Sequence, residues 1–172
     1  KRVLITGGTR GIGRATADAF VAAGARVAIN GRSADATAKI AAEIGGIAAP
    51  GDVASAADCK RFVTAAAGAL GGLDVLVTSA GIGPYGPMEE VGEALWDSTL
   101  DINLKGTFFC TQAALPHLRQ SKGNAVFVAS DAGLIGEAGL AIYCASKGGV
   151  VNLTRALALE LAPEIRVNCV CP

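Results

Sequence analysis

A short apolar run, Val3-Leu4-Ile5-Thr6, passes directly into Gly7-Gly8-Thr9-Arg10-Gly11-Ile12-Gly13, and Arg14 to Phe20 come next with the composition of a helix. A strand, a glycine turn and a helix in that order call for an α/β fold with the turn at one edge of a sheet. Gly7 and Gly11 supply backbone angles and close approaches that side chains forbid, and Gly13 lets the helix lie tightly on the strand. The helix N-terminus then offers free N–H groups and the positive end of its dipole to an anion such as a pyrophosphate. No Lys-Ser/Thr pair stands after the last glycine, which excludes a Walker A loop.

Further runs of the same kind recur: Val27–Asn30, Ile47–Pro50, Val75–Thr78, Ala125–Ala129 and Ile165–Val170 read as strands, with helical stretches between them. Most are apolar on both faces, as central parallel strands covered by helices are. The expected fold is therefore α/β, a doubly wound parallel sheet in three αβα layers, and its ligands should bind outside the carboxyl ends of the strands. Nothing in composition divides the chain, so residues 1–172 read as one domain.

The 15 Lys+Arg balance the 15 Asp+Glu, leaving no basic excess for nucleic acid or an anionic membrane. No apolar run reaches the roughly 18 residues of a membrane helix. Five scattered cysteines without a CxxC or Cys/His cluster suggest reduced thiols in the cytoplasm and no metal site. The 23 glycines come with only 6 prolines and no Gly-X-Y period, so neither collagen nor a linker accounts for them.

At the end of the second strand, about 20 residues beyond the turn, an acidic side chain would bind a ribose 2′-OH. Asn30-Gly31-Arg32-Ser33 stands there instead. A guanidinium suits a 2′-phosphate, and Arg10 can add to the same charge, so the sequence favours NADP(H) over NAD(H). Asp52-Val53, after the third strand, falls where an adenine would rest, although Asp52 could equally cap the helix beginning near Ser55.

Tyr143 and Lys147 lie one helical turn apart on the same face. An unperturbed phenol ionises near pH 10. A cation ~4 Å away favours the phenolate by about 4 kcal/mol at an effective dielectric of ~20, enough to make a tyrosine a workable general acid/base. Ser130 ends a strand at the ligand edge, where its hydroxyl could orient a carbonyl oxygen. Asn103 sits beside an apolar helical stripe of Leu100, Leu104, Phe108, Leu115 and Leu118; it could face the crevice or bond local backbone. Pro116 should end or kink that helix.

Taken together, the turn from Thr6 to Gly13, Asn103, Ser130, Tyr143 and Lys147 resemble the short-chain dehydrogenase/reductase family, with its Rossmann-like fold. Asp74-Val75-Leu76-Val77 before Ala80-Gly81, Asn103-Leu104-Lys105-Gly106 and Ile165-Arg166-Val167-Asn168 extend the match along the chain. The resemblance implies hydride transfer between a nicotinamide and a carbonyl or secondary alcohol. Tyr143 would move the proton, Lys147 would assist it and hold the ribose, Ser130 would steady the substrate oxygen, and Asn103 would hold a relay water. Gly7, Thr9, Arg10, Gly11, Ile12, Gly13, Arg32, Asp52, Val53, Ala80, Gly81, Tyr143 and Lys147 would form the cofactor site.

Two departures stand out. Thr78-Ser79 replaces the two asparagines common before Ala-Gly, which removes amide contacts that brace this loop. Family members also continue beyond the equivalent of Val170 into a substrate-covering part, which this sequence is expected to lack. A hydrolase built on Ser130, Asp131 and His117 is disfavoured because no Gly-x-Ser-x-Gly elbow surrounds Ser130. A non-catalytic nucleotide-binding protein on the same fold is the alternative. The substrate stays open among oxoacyl thioesters, steroids, sugars and small ketones, with Ile82 to Met88 as one rim of the pocket. The apolar helices Leu100–Leu118 and Val150–Leu161 suggest a homo-oligomer, a tetramer or dimer.

Overall fold

The computed structural model describes residues 1–172 and contains one six-stranded sheet: β1 (Arg2–Thr6), β2 (Arg26–Ile29), β3 (Ile47–Ala48), β4 (Val75–Thr78), β5 (Asn124–Val128) and β6 (Arg166–Val170). All five ladders are parallel, in the order β3-β2-β1-β4-β5-β6. Strands β1 to β3 wind outward in one direction and β4 to β6 in the other. The reversal falls between β1 and β4, where Ile5 pairs with Val77 and Thr6 with Thr78. This is the expected doubly wound arrangement, and it opens a crevice at the carboxyl ends of these two strands.

Six helices cover the sheet: α1 (Gly11–Ala22), α2 (Ala34–Glu43), α3 (Ala56–Leu70), α4 (Glu93–Leu100), α5 (Gly106–Ser121) and α6 (Ala141–Leu161). Successive strand residues point to opposite layers. Val3, Ile5, Val27, Ile29, Val75 and Val77 pack with Ala17 of α1 and Ala41 of α2. Leu4, Leu76, Ala125 and Phe127 pack with Phe62 and Leu70 of α3, Leu118 of α5 and Val150 of α6. Fully burying a side chain such as Phe127 is worth about 1.5–3 kcal/mol, so both layers hold the sheet.

The elements stop where their chemistry requires. Ser33 and Ser55 cap α2 and α3, their hydroxyls accepting from the N–H groups of Ala36 (3.3 Å) and Asp58 (3.2 Å). Strand β3 is shorter than expected, since Pro50 cannot donate to a ladder. Helix α6 ends at Leu161, shortly before Pro163. At the base of the sheet the Arg2 guanidinium and backbone N–H both bond the Asp74 carboxylate, joining the starts of β1 and β4 and holding that carboxyl down at about 2. No helix is long and apolar enough to cross a membrane.

The helical stretch after Asn103 departs from expectation at two points. Of the two outcomes expected at Pro116, an end is not seen, and α5 continues to Ser121. Pro116 and Gln112 are both exposed, so the carbonyl that loses its donor lies on the water side, while buried Ala114 and Leu118 keep the opposite face packed. Between α4 and α5 one wide π turn spans Asp101–Lys105. The extra residue shifts the phase of α5 relative to α4, so Phe108 faces outward at 40% exposure instead of continuing the buried stripe.

Candidate active site

A cleft of about 880 Å³ opens at the carboxyl ends of β1, β2, β4 and β5. Its floor is the glycine turn. Gly7 has φ +64°, and a Cβ there would lie 2.7 Å from the Cα of Ala80, so the turn packs backbone to backbone on the loop after β4. Gly13 is buried behind the turn, where a Cβ would collide with the carbonyl of Gly7. It does not line the cleft and so serves the helix–turn junction rather than a ligand. Gly7, Thr9, Arg10, Gly11 and Ile12 do line it. A Cβ on Gly11 would meet open space, and the N-terminus of α1 starts there, a cradle that fits a pyrophosphate.

At one end of the cleft Arg10 and Arg32 are exposed and enter no ion pair, unlike Arg2, Arg14, Arg61 and Arg119. They stand on adjacent loops, since a Cβ on Gly31 would lie 2.7 Å from the Thr9 side chain. Asn30 is buried, its amide donating to the carbonyls of Ala49 and Gly51 at 3.0 Å, which fastens β2 to the loop after β3. Asp52 and buried Val53 form the neighbouring wall. One Asp52 oxygen accepts from the Ala54 N–H (2.9 Å), and the cap of α3 is Ser55, so Asp52 is not the helix cap.

At the other end Ser130, Tyr143 and Lys147 face the same cleft. Lys147 is 5% exposed; its ammonium donates to the Val128 carbonyl (2.7 Å) and sits 5.7 Å from the centre of the Tyr143 ring. Burial pushes its pKa down to about 8, opposed by the nearby Cys171 sulfur. It therefore remains mostly cationic at pH 7. The Ser130 hydroxyl donates to Asp131 (3.0 Å), and its oxygen accepts from the Ala132 N–H (3.3 Å).

Asn103 is buried and does not line the cleft. Its oxygen accepts from the Ile82 N–H (2.9 Å), and its amide donates to the Ile82 carbonyl (2.8 Å) and to Ser146 (2.9 Å). Both amide hydrogens are thus engaged by protein, and the side chain ties the loop after β4 to α6. That loop keeps its brace despite Thr78-Ser79, because Thr6 accepts from the N–H groups of Ser79 (3.1 Å) and Ala80 (3.2 Å).

Two further residues of the site are inconspicuous in the sequence. Gly83 covers the Tyr143 ring, where a Cβ would lie 3.5 Å from the ring edge. Ser146, fully buried, receives Asn103 and donates to the Tyr143 carbonyl (2.8 Å). Its position one residue before Lys147 is the signal that could have found it.

The model of the short chain dehydrogenase family matches residues 1–172. The chain belongs to this family. As a short-chain dehydrogenase it is 41% identical to a cis-2,3-dihydrobiphenyl-2,3-diol dehydrogenase of Paraburkholderia xenovorans (strain LB400), over 96% of this chain and 62% of that protein. It is 39% identical to a meso-2,3-butanediol dehydrogenase of Serratia marcescens, over 100% of this chain and 70% of that one. A crystal structure from Sinorhizobium meliloti 1021, assigned to the short-chain alcohol dehydrogenases, superposes with a TM-score of 0.93 at 41% identity and covers 100% of this chain and 71% of that one. The chain thus spans about two thirds of the length of these relatives.

Proposed function

We propose that this short-chain dehydrogenase forms the dinucleotide-binding and catalytic domain of an NADP(H)-dependent oxidoreductase that interconverts a secondary alcohol and a ketone. The observation that carries the reading is the shared cleft: an anion-binding turn with two unpaired arginines at one end, and a serine, a tyrosine and a buried lysine at the other. Two relatives are named as diol dehydrogenases, which agrees with a CH–OH substrate.

In this reading Gly7, Thr9, Gly11, Ile12, Ala80 and Gly81 bind the dinucleotide, Asp52 and Val53 border its adenine, and Arg10 and Arg32 hold a 2′-phosphate. Bound nicotinamide supplies or accepts the hydride. Ser130 turns its hydroxyl from Asp131 to the substrate oxygen. Tyr143 gives its proton to that oxygen in reduction and takes it in oxidation. Lys147 holds the ribose and sets its buried ammonium beside the Tyr143 ring. Asn103 acts by positioning, through Ile82 and Ser146.

Loss of NADPH absorbance on adding a ketone tests the reaction. Wild type should turn over and Tyr143→Phe should lose most activity, on the order of 100-fold or more; equal rates would refute the assignment and leave a nucleotide-binding role. Arg32→Ala should weaken NADPH binding more than NADH binding, on the order of tenfold. Unchanged affinity for both would overturn the cofactor preference. We further infer a cytoplasmic location from five free cysteines. Self-association through α5 and α6 is supported by outward-facing Phe108 and by Leu159, which is 83% exposed.

A further inference from the structure

Two of the five cysteines meet inside the fold. Cys59, near the start of α3, and Cys110, in α5, are both 0% exposed, whereas Cys144, Cys169 and Cys171 are only partly buried. They stand 51 residues apart in the chain, on helices that cover the same face of the sheet, and their sulfurs are 3.5 Å apart. The Cys110 S–H donates to the Cys59 Sγ, and the Cys59 S–H donates to the Val53 carbonyl (3.3 Å). A disulfide bond is about 2.05 Å long, so the sulfurs have to approach by roughly 1.5 Å, a distance within the range of rotation about the two Cα–Cβ bonds.

The two thiols are chemically unequal. The bond from Cys110 lowers the pKa of Cys59 from the ordinary thiol value, and the nearby N-terminus of α3 favours a thiolate there as well. Donating that bond, together with burial, pushes Cys110 up. Cys59 is therefore the nucleophile of the pair and Cys110 the thiol that follows it. Helix ends are where a fold opens first, so a small oxidant reaches Cys59 through the start of α3.

We propose that Cys59 and Cys110 form a reversible disulfide site, closed by a peroxide and opened by a dithiol, whose state is felt at the cleft through Val53. The Cys59 thiolate attacks one oxygen of hydrogen peroxide, the O–O bond breaks, and water leaves a sulfenic acid on Cys59. The Cys110 sulfur then displaces that hydroxyl as a second water and the S–S bond forms. The two thiols give up two electrons and two protons, and the peroxide becomes two waters. Oxidation removes the Cys59 S–H, so the Val53 carbonyl loses its donor. That carbonyl is covered by α5, since a Cβ on Gly106 would lie 2.9 Å from it. Val53 borders the cleft beside Asp52. Resting on the proposed dinucleotide site, the oxidised protein binds NADPH about threefold to tenfold more weakly, the worth of one buried hydrogen bond that no longer fixes this wall.

The test treats the native wild-type protein with hydrogen peroxide, alkylates the remaining thiols in denaturant, and maps tryptic peptides by mass spectrometry. Cys59 falls alone in peptide 40–60 and Cys110 alone in peptide 106–119. A linked pair of these two, about 2 Da lighter than their sum and separated again by dithiothreitol, supports the site. Both peptides alkylated while Cys144, Cys169 or Cys171 is oxidised would overturn it, as would Cys59 driven to the sulfinic acid without a link. Fluorescence titration of NADPH then reads the coupling. A rise in Kd on oxidation of wild type, reversed by dithiothreitol and absent in Cys110→Ala, supports it. An unchanged Kd in the linked protein, or the same rise in Cys110→Ala, would overturn the coupling to Val53. Failure of the reduced protein to bind NADPH at all would refute the dinucleotide reading and the coupling with it, while the peptide map decides the disulfide site independently.

Discussion

Lys147 carries an electrostatic cost that a titration can read. Its pKa is about 8 in the fold, against 10.5 for an ordinary lysine, and burial is the main cause. The unfolded chain therefore holds this proton up to about pH 10.5, whereas the folded chain releases it near pH 8. Between these values the unfolded state binds more protons, so stability rises with pH. A shift of roughly 2.5 units at about 1.4 kcal/mol each gives a gain of about 3 kcal/mol across that window. Below pH 8 both states are protonated and the cost is fully present. Lys147→Met keeps the length of the side chain and removes the charge. It also leaves the Val128 carbonyl without its donor, but that loss does not vary with pH and cancels in the slope. Urea unfolding of wild type and Lys147→Met, without dinucleotide, should give a stability difference that climbs in favour of wild type by about 3 kcal/mol from pH 7.5 to 10.5. A flat or falling difference would refute the assignment of a desolvated ammonium.

Asp74→Asn should cost about 1–2 kcal/mol at pH 7 and little near pH 2, since the Arg2 pairing keeps this carboxyl ionised to about 2 and its contribution disappears as pH falls through that value; urea midpoints at the two pH values check this. Gly13→Ala should displace the Gly7 carbonyl and weaken NADPH binding, measured by fluorescence titration, while the neighbouring exposed Ala15→Ser should not. Asn103→Ala leaves both backbone groups of Ile82 without their partner and should cost about 2–4 kcal/mol. Hydrogen exchange should locate the loss at the Ile82 amide; an unchanged exchange rate there would contradict the positioning role.

The parts legible in the sequence are those written in local spacing. The turn from Gly7 to Gly13 must join a strand to a helix, the β-branched runs must be central strands, and Tyr143 and Lys147 must share a face because four residues make about one turn. The features that escape such a reading depend on groups far apart in the chain. Asn103 meets Ile82 and Ser146 only after the sheet is assembled, and nothing near residue 103 announces those partners. The absence of the two asparagines before Ala80 reads as a lost brace, but Thr6, more than seventy residues away, supplies the hydroxyl that replaces it. Pro116 stays inside α5 because Ala114 and Leu118 pack the opposite face, a contribution that helix propensity does not contain, and the register slip at Asp101–Lys105 leaves no periodic mark strong enough to see.

The pair of bonds between Asn103 and Ile82 has a consequence for the whole edge of the sheet. A primary amide that accepts from one residue's N–H and donates to the same residue's C=O reproduces what a neighbouring strand offers in a ladder. Beyond Thr78 the polypeptide has left its partners on either side, yet at Ile82 it is still held as though a further strand, one residue long, ran beside it. A single side chain thereby carries the bonding pattern of the sheet past the end of β4, and the backbone at Ile82, next to the glycine that covers Tyr143, has both its polar groups paired without a neighbouring strand.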